Sequence, residues 1–269
     1  MTWQEVADRI FVRRYAFFDQ SIAAVIGREG AIIVDTRTTD AQAAELEADL
    51  RSLTEVPLAA VVNTHHHYDH SFGNARFAAA PIWGHVRCAE VLRTRGETMR
   101  ADVMRSLPAL ADEIARVVIT PPDRTFDETA SIDLGDRRIE LRYLGRGHTD
   151  NDIVVVVPDS GTLLAGDLLE NDAPPSFGDA YPIAWAVTLR DRLLPLVTEV
   201  VVPGHGRPAG RAFAERQAAE LAELARLIRE MASGAIGPDE VRAASPYPAE
   251  TTRVALERGL DEVRGSAGG

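Results

Sequence analysis

The segment Asn63-Thr64-His65-His66-His67-Tyr68-Asp69-His70 holds four of the chain's seven histidines and a carboxylate. Neutral imidazole and carboxylate are the usual ligands of zinc and related divalent metals. The segment follows directly on Leu58–Val62, an apolar stretch that reads as a buried strand. Histidines two apart on an extended segment point the same way, so His65 and His67 can share one ion. His66 alternates away from them and is expected to pack. Asp69 and His70 come as the chain turns away, where they can face a second ion nearby.

Two ions need more ligands than these, and three further residues stand in suitable settings. His148 lies in Gly145-Arg146-Gly147-His148-Thr149, Asp167 in Ala165-Gly166-Asp167, and His205 in Val202-Pro203-Gly204-His205-Gly206. Each follows an apolar run and sits beside glycine, which lets backbone turn closely around a site. Singly, each reads more simply as a structural residue. His85 and Cys88 do too, with pocket lining the alternative for His85 and a place in the core of the following helix expected for Cys88.

The elements that must position these residues can be read around them. Ile10–Tyr15, Ile22–Ile26, Ala31–Asp35 and Leu58–Asn63 read as strands, with a tight turn at Gly27 to Gly30. Asp40 is expected to cap a helix over Ala41–Arg51. Ile82–Trp83 reads as a short strand before two helical stretches, Val86–Arg95 and Glu97–Ile114, the second interrupted at Pro108. Further strands are expected at Val117–Ile119, Ser131–Leu134, Arg138–Leu144, Ile153–Val157, Thr162–Ala165 and Val200–Val202, with a hairpin turn at Leu134–Arg137. Ile183–Leu196, Ala212–Ser233 and Ala249–Val263 read as helices, with breaks at Pro238 and Pro246–Pro248. Strands mixed with helices in two batches suggest an α/β or α+β sandwich.

The 269 residues suffice for a sizeable core. The formal net charge is -12, which argues against nucleic acid as a partner. All 29 basic residues are arginine, so lysine Schiff-base chemistry and a lysine-bearing phosphate loop are excluded. Cys88 is the one cysteine, so no intrachain disulfide can form. Residues 1–20 are charged throughout and no run has the length of a membrane span. The expectation is a cytoplasmic protein acting on a small-molecule substrate, without nucleic acid or membrane.

Taken in order, His65-x-His67-x-Asp69-His70, Gly-His148-Thr, Gly-Asp167 and Gly-His205-Gly resemble the metallo-β-lactamase superfamily over about Asp35 to Gly206. The resemblance implies a four-layer αββα sandwich with metals at one edge of two sheets. Residues 1–210 would be the catalytic domain and 211–269 a C-terminal helical extension packed on it. By the same resemblance His65, His67 and His148 hold one zinc ion, Asp69, His70 and His205 hold a second, and Asp167 bridges them. Iron or manganese are the other metals to expect. Asp35 and Thr64 would orient ligands from behind, and Asp35 resembles the superfamily's first motif. A homodimer is a family-level expectation.

The implied reaction is attack by a metal-bridging hydroxide on a thioester, lactone or related ester-like bond. Asp69 would serve both as ligand and as the group that orients the nucleophile or shuttles a proton. The narrower β-lactamases often have cysteine at the Asp167 position. Aspartate there resembles glyoxalase II-like and lactonase-like members instead, leaving β-lactam hydrolysis as an alternative. Another alternative is a single-iron persulfide dioxygenase-like oxidoreductase, for which His65, His148 and Asp167 offer the two-histidine, one-carboxylate face. A non-catalytic metal-binding scaffold ranks below both, because all seven ligand positions are filled. Lactonase relatives often carry a tyrosine shortly after the bridging aspartate, whereas this chain has Leu168-Leu169-Glu170-Asn171. Tyr68, Glu170 and Tyr181 are the residues expected to line the substrate pocket.

Overall fold

The computed structural model describes residues 2–266. In chain order the elements are β1 (Gln4–Ala7), β2 (Ile10–Tyr15), β3 (Gln20–Ile26), β4 (Ala31–Val34), α1 (Asp40–Leu53), β5 (Leu58–Val62), α2 (Tyr68–Ser71), β6 (Ile82–His85), α3 (Val86–Ser106) and α4 (Ala111–Ile114). The second half continues with β7 (Arg124–Phe126), β8 (Thr129–Asp133), β9 (Arg138–Tyr143), β10 (Ile153–Val157), β11 (Thr162–Glu170), α5 (Pro182–Thr188), β12 (Val200–His205), α6 (Arg211–Ala232), α7 (Pro238–Ala244) and α8 (Ala249–Ser266).

Among the described residues the strands make two hydrogen-bonded sets. One runs β7-β6-β5-β4-β3-β2-β1, and the other β12-β11-β10-β9-β8. They are linked by a single register pair, His205 opposite Gln20, where β12 meets β3. The inward-facing residues of both sets form one core. Val12, Val25, Ile32 and Val62 from the first meet Ile139, Leu141, Val155 and Leu164 from the second. Alternate residues face outward. Ile22, Ile33 and Val61 pack under Leu46 and Leu50 of α1. Leu163, Ala165 and Leu169 pack under Trp185 of α5 and Leu221, Leu224 and Ile228 of α6. The layers are therefore helix, sheet, sheet, helix, as expected. Each fully buried leucine or isoleucine in these layers contributes roughly 1.5–3 kcal/mol. The helices after residue 210 complete the outer cover of the second sheet.

Several local expectations are corrected. Thr39, not Asp40, caps α1, its side chain accepting from Gln42 N at 3.2 Å. Val86–Arg95 and the first part of the stretch from Glu97 form one helix, α3, which ends at Ser106; the expected interruption at Pro108 separates it from α4. Gly96 does not break it; it lets the helix approach Ile119, whose Cγ2 stands 2.6 Å from where a Cβ would lie. Val117–Ile119 is no strand and pairs with no strand among the described residues; β6 pairs with β7 instead. Pro238 starts a helix, α7, at the position where its missing N–H costs least.

Candidate metal centre

The cluster leaves the C-terminal end of β5, Asp35 follows β4, His148 lies in the loop between β9 and β10, His205 ends β12, and Asp167, expected just past a strand, lies within β11. Two glycines make the approach possible. Gly166, at φ +53, would bring a Cβ to 2.7 Å from Thr64 Cβ, and a Cβ on Gly204 would lie 1.8 Å from Asp167 Oδ1. Any side chain at Gly204 would displace the Asp167 carboxylate.

Five imidazoles converge, and each is fixed by a bond on its far side. Asp35 accepts from Thr64 N and Thr64 Oγ1, both at 2.8 Å. With its hydroxyl proton committed, Thr64 Oγ1 can only accept from His65 Nδ1, 3.0 Å away. Asp35 also accepts from His70 Nδ1 at 2.8 Å. His148 Nδ1 donates to Ser176 O at 3.1 Å, and His205 Nδ1 to Phe18 O at 2.8 Å. His67 is held by the other nitrogen, Nε2 donating to Asp179 Oδ1 at 2.9 Å. Partners of this kind assign the tautomer of each ring. The lone pairs of His65 Nε2, His67 Nδ1, His70 Nε2, His148 Nε2 and His205 Nε2 are therefore all left free to bind a metal.

These lone pairs fall into two groups. His65, His67, His148 and Asp167 present donor atoms that lie within 4.8 Å of one another, and so do Asp69, His70 and His205. His67 Nδ1 is 2.9 Å from His148 Nε2, and His148 Nε2 is 3.5 Å from Asp167 Oδ2. In the second group His70 Nε2 is 3.2 Å from His205 Nε2, and Asp69 Oδ2 is 3.4 and 3.3 Å from them. Asp167 reaches both groups: Oδ1 lies 3.3 Å from His70 Nε2, and Oδ2 lies 3.3 Å from His205 Nε2 and 3.8 Å from His65 Nε2. Ligands bound at about 2.0–2.2 Å to one tetrahedral ion stand roughly 3.3 Å apart. His65 Nε2 and Asp167 Oδ1 are buried without a hydrogen-bond partner. Facing lone pairs repel unless a cation lies between them, so the donor set fits divalent metal at both groups.

The electrostatics agree. Burial holds His65 well below the usual histidine range and His148 down at about 4, so both stay neutral and able to ligate. Burial also opposes charge on His70 and His205, but Asp167 and Asp69 outweigh it and raise both rings well above the usual value. Without a metal, a proton takes the cation's place there. Glu170 is pushed up to about 8, by burial first and then by Asp167.

A cavity of about 370 Å³ opens over the donors, with Phe18, Tyr68, Glu170, Ala173 and Ser176 as its other walls. Of the three residues expected in a substrate pocket, Tyr68 and Glu170 are among these walls. Tyr181 does not line this cavity. Its ring instead meets the guanidinium groups of Arg146 and Arg258, at 4.8 and 6.0 Å, and its backbone N bonds Gly147 O. His66 is buried against Asn151 and Asp179, outside both groups, as expected from its alternation. His85 stacks on Tyr143 and its Nδ1 accepts from Arg87 N at the start of α3, a structural role.

The sequence reading missed Asp179 and the carbonyls of Phe18 and Ser176. Asp179 belongs to no motif, and carbonyl acceptors leave no trace in residue type. Phe18 does leave a geometric mark: it and Asp19 take φ of +56° and +52°. Such strain in non-glycine residues costs on the order of 1–3 kcal/mol each and persists only where surrounding contacts impose it. Here Gly206 N bonds Asp19 O, and His205 Nδ1 bonds Phe18 O.

Comparison with known proteins agrees with this geometry. Residues 16–205 match the family model described as "Metallo-beta-lactamase superfamily". The chain is 27% identical over 214 residues to the linear primary-alkylsulfatase of Pseudomonas sp. (strain ATCC 19151), covering 67% of this chain and 40% of that protein. It is 25% identical over 188 residues to the metallo-beta-lactamase type 2 of Bacillus cereus, covering 68% and 65%. The chain thus spans less than two thirds of either relative's length. Among solved structures, a metallo-beta-lactamase from Pontibacter korlensis superposes with a TM-score of 0.64 at 19% identity, covering 82% of this chain and 98% of that one. That likeness concerns the fold. The family match spans the strands and loops that carry all seven converging donors, and the chain belongs to the metallo-β-lactamase superfamily.

Proposed function

We propose that the chain is a dinuclear zinc hydrolase of a small ester-like substrate, a thioester, lactone or related ester. One observation carries this reading. Five imidazoles spend their N–H groups outward, leaving five lone pairs and the carboxylates of Asp69 and Asp167 around one cavity. His65, His67 and His148 would hold one ion and Asp69, His70 and His205 the other, with Asp167 shared. When bound, two such ions supply a water acidified towards neutrality and an electrophile for the oxygen of the scissile bond. Asp69 faces the cavity and would orient the nucleophile and carry its proton. Asp35, through Thr64 and His70, and Asp179, through His67, keep the rings from turning.

A superfamily hydrolase is compatible with several leaving groups. The alkylsulfatase relative favours a sulfate ester as the second reading. Metal content separates two zinc ions from the single iron of a dioxygenase. The test is the zinc-loaded protein on a panel of a thioester, a lactone, a 4-nitrophenyl ester, an alkyl sulfate, a β-lactam and a persulfide. Hydrolysis of a carboxylic ester-like member, abolished by chelation and restored by zinc, is the expected result. Turnover of the alkyl sulfate or β-lactam alone would reassign the substrate. About one iron per chain and persulfide oxidation would overturn the hydrolase.

A further inference from the structure

The metal ligands do not account for the Phe18 side chain. His205 needs only the carbonyl of residue 18, and glycine would supply it at φ +56° with less strain. The chain instead keeps a phenyl ring there, 46% exposed. That ring meets Tyr68 edge-on, centroids 6.3 Å apart, and both line the cavity over the donors. Tyr68 is braced in turn by Phe72 beneath it. The two rings thus form an apolar wall beside the place where the scissile bond must lie.

The same cavity is lined by no arginine, and the chain has no lysine. Two arginines on segments next to Phe18 and His205 are already paired. Arg14 pairs with Asp19 and with Asp172, and Arg207 pairs with Asp172 at 2.6 Å. The additional ionisable group inside is Glu170, a carboxyl, 8% exposed, which accepts from Ser176 N at 2.8 Å. A carboxylate remote from the reacting bond would find no arginine or lysine in the cavity wall to meet it.

Resting on the hydrolase reading, we infer that the substrate carries an apolar acyl or alkyl chain and no second anionic group, and that Phe18 sets the preference for that chain. This distinguishes an apolar ester from substrates held by a distant carboxylate.

The test compares the zinc-loaded protein on 4-nitrophenyl acetate, butyrate and octanoate, and on mono-4-nitrophenyl suberate, which is the octanoate ester with a terminal carboxylate. Each covered methylene is worth roughly two- to fourfold. The expected kcat/KM therefore rises at least tenfold from acetate to octanoate and falls at least tenfold from octanoate to suberate. Phe18→Ala should bring the octanoate-to-acetate ratio towards one, and Phe18→Leu should keep part of it, with zinc content measured for each. A flat chain-length profile, suberate turned over as well as octanoate, or an unchanged ratio in Phe18→Ala protein that retains its zinc would overturn the inference and leave the hydrolase standing. No hydrolysis of any of these esters would overturn the inference, and it would overturn the hydrolase as well if the thioester and lactone also stand unhydrolysed.

Discussion

Asp179 accepts the Nε2 proton of His67 at 2.9 Å, and this one bond turns Nδ1 of the ring into the cavity, 2.9 Å from His148 Nε2. Asp179 sits on the loop after β11, whose carbonyls at Asp179 and Ala180 are held by Arg258 of α8. The C-terminal helix thus reaches a donor of the first group through two intermediates.

Removing that support should weaken the first group while sparing the second. Asp179→Ala is expected to lower zinc affinity for one of two ions by about 10–100-fold, the usual effect of losing a carboxylate behind a ligating histidine. Asp179→Asn keeps an acceptor without the charge and should fall between. Competition with a chromophoric chelator measures both; equal affinity in all three proteins would contradict the role.

Asp69 is nearly buried and contacts His70 and His205 in the second group. Asp69→Ala should fold normally, retain about one zinc and lose most turnover. Circular dichroism, metal analysis and ester hydrolysis together read this. Near-normal turnover would remove Asp69 from the chemistry.

The Gly204 position makes a steric prediction. A methyl group there would overlap Asp167 Oδ1, so Gly204→Ala must push aside the carboxylate shared by both groups. Displacements of about 1 Å at such sites cost on the order of 100-fold in rate. Turnover within threefold of the parent protein would show that Asp167 is not held as described.

The pH dependence has opposite signs with and without metal. His70 and His205 have raised values in the metal-free chain, so their contribution to stability is full below the unfolded histidine value of about 6.5 and is lost as pH rises through the folded values. Glu170, raised to about 8, adds a loss in the same direction between its unfolded value near 4.3 and 8. The metal-free protein should therefore lose thermal stability from pH 6 to 9. Zinc must displace the protons on His70 and His205, so its apparent affinity should rise over that window with proton release. Melting curves with and without zinc, and calorimetry in buffers of different ionisation enthalpy, check both trends. Metal-free stability that rises with pH would be inconsistent with protonated His70 and His205.

Much of this was legible in the residues. The Ile153–Val157 strand is apolar throughout and was found with its bounds intact, because a strand covered on both faces needs no alternation. The donors were legible because their types are rare and they recur beside glycine. What failed is instructive. Thr39 took the cap from Asp40 because capping depends on backbone angle as well as on residue type. Gly96 read as a break, yet its lack of a side chain serves packing against Ile119. The short strand β7 owes its pairing to β6, far back in sequence with Trp83 opposite Arg124, whereas β1 pairs with β2 directly after it. Asp179 lies 112 residues beyond His67. Its role exists only once the loop after β11 folds back over the cluster.

The most direct test of the two-metal account is a zinc titration of the metal-free protein, with heat and ester turnover followed together. The account predicts saturation at about two equivalents per chain, with turnover rising as the second equivalent binds and Asp69→Ala saturating at about one. Saturation of the parent protein at a single equivalent, with full turnover already reached, would contradict it.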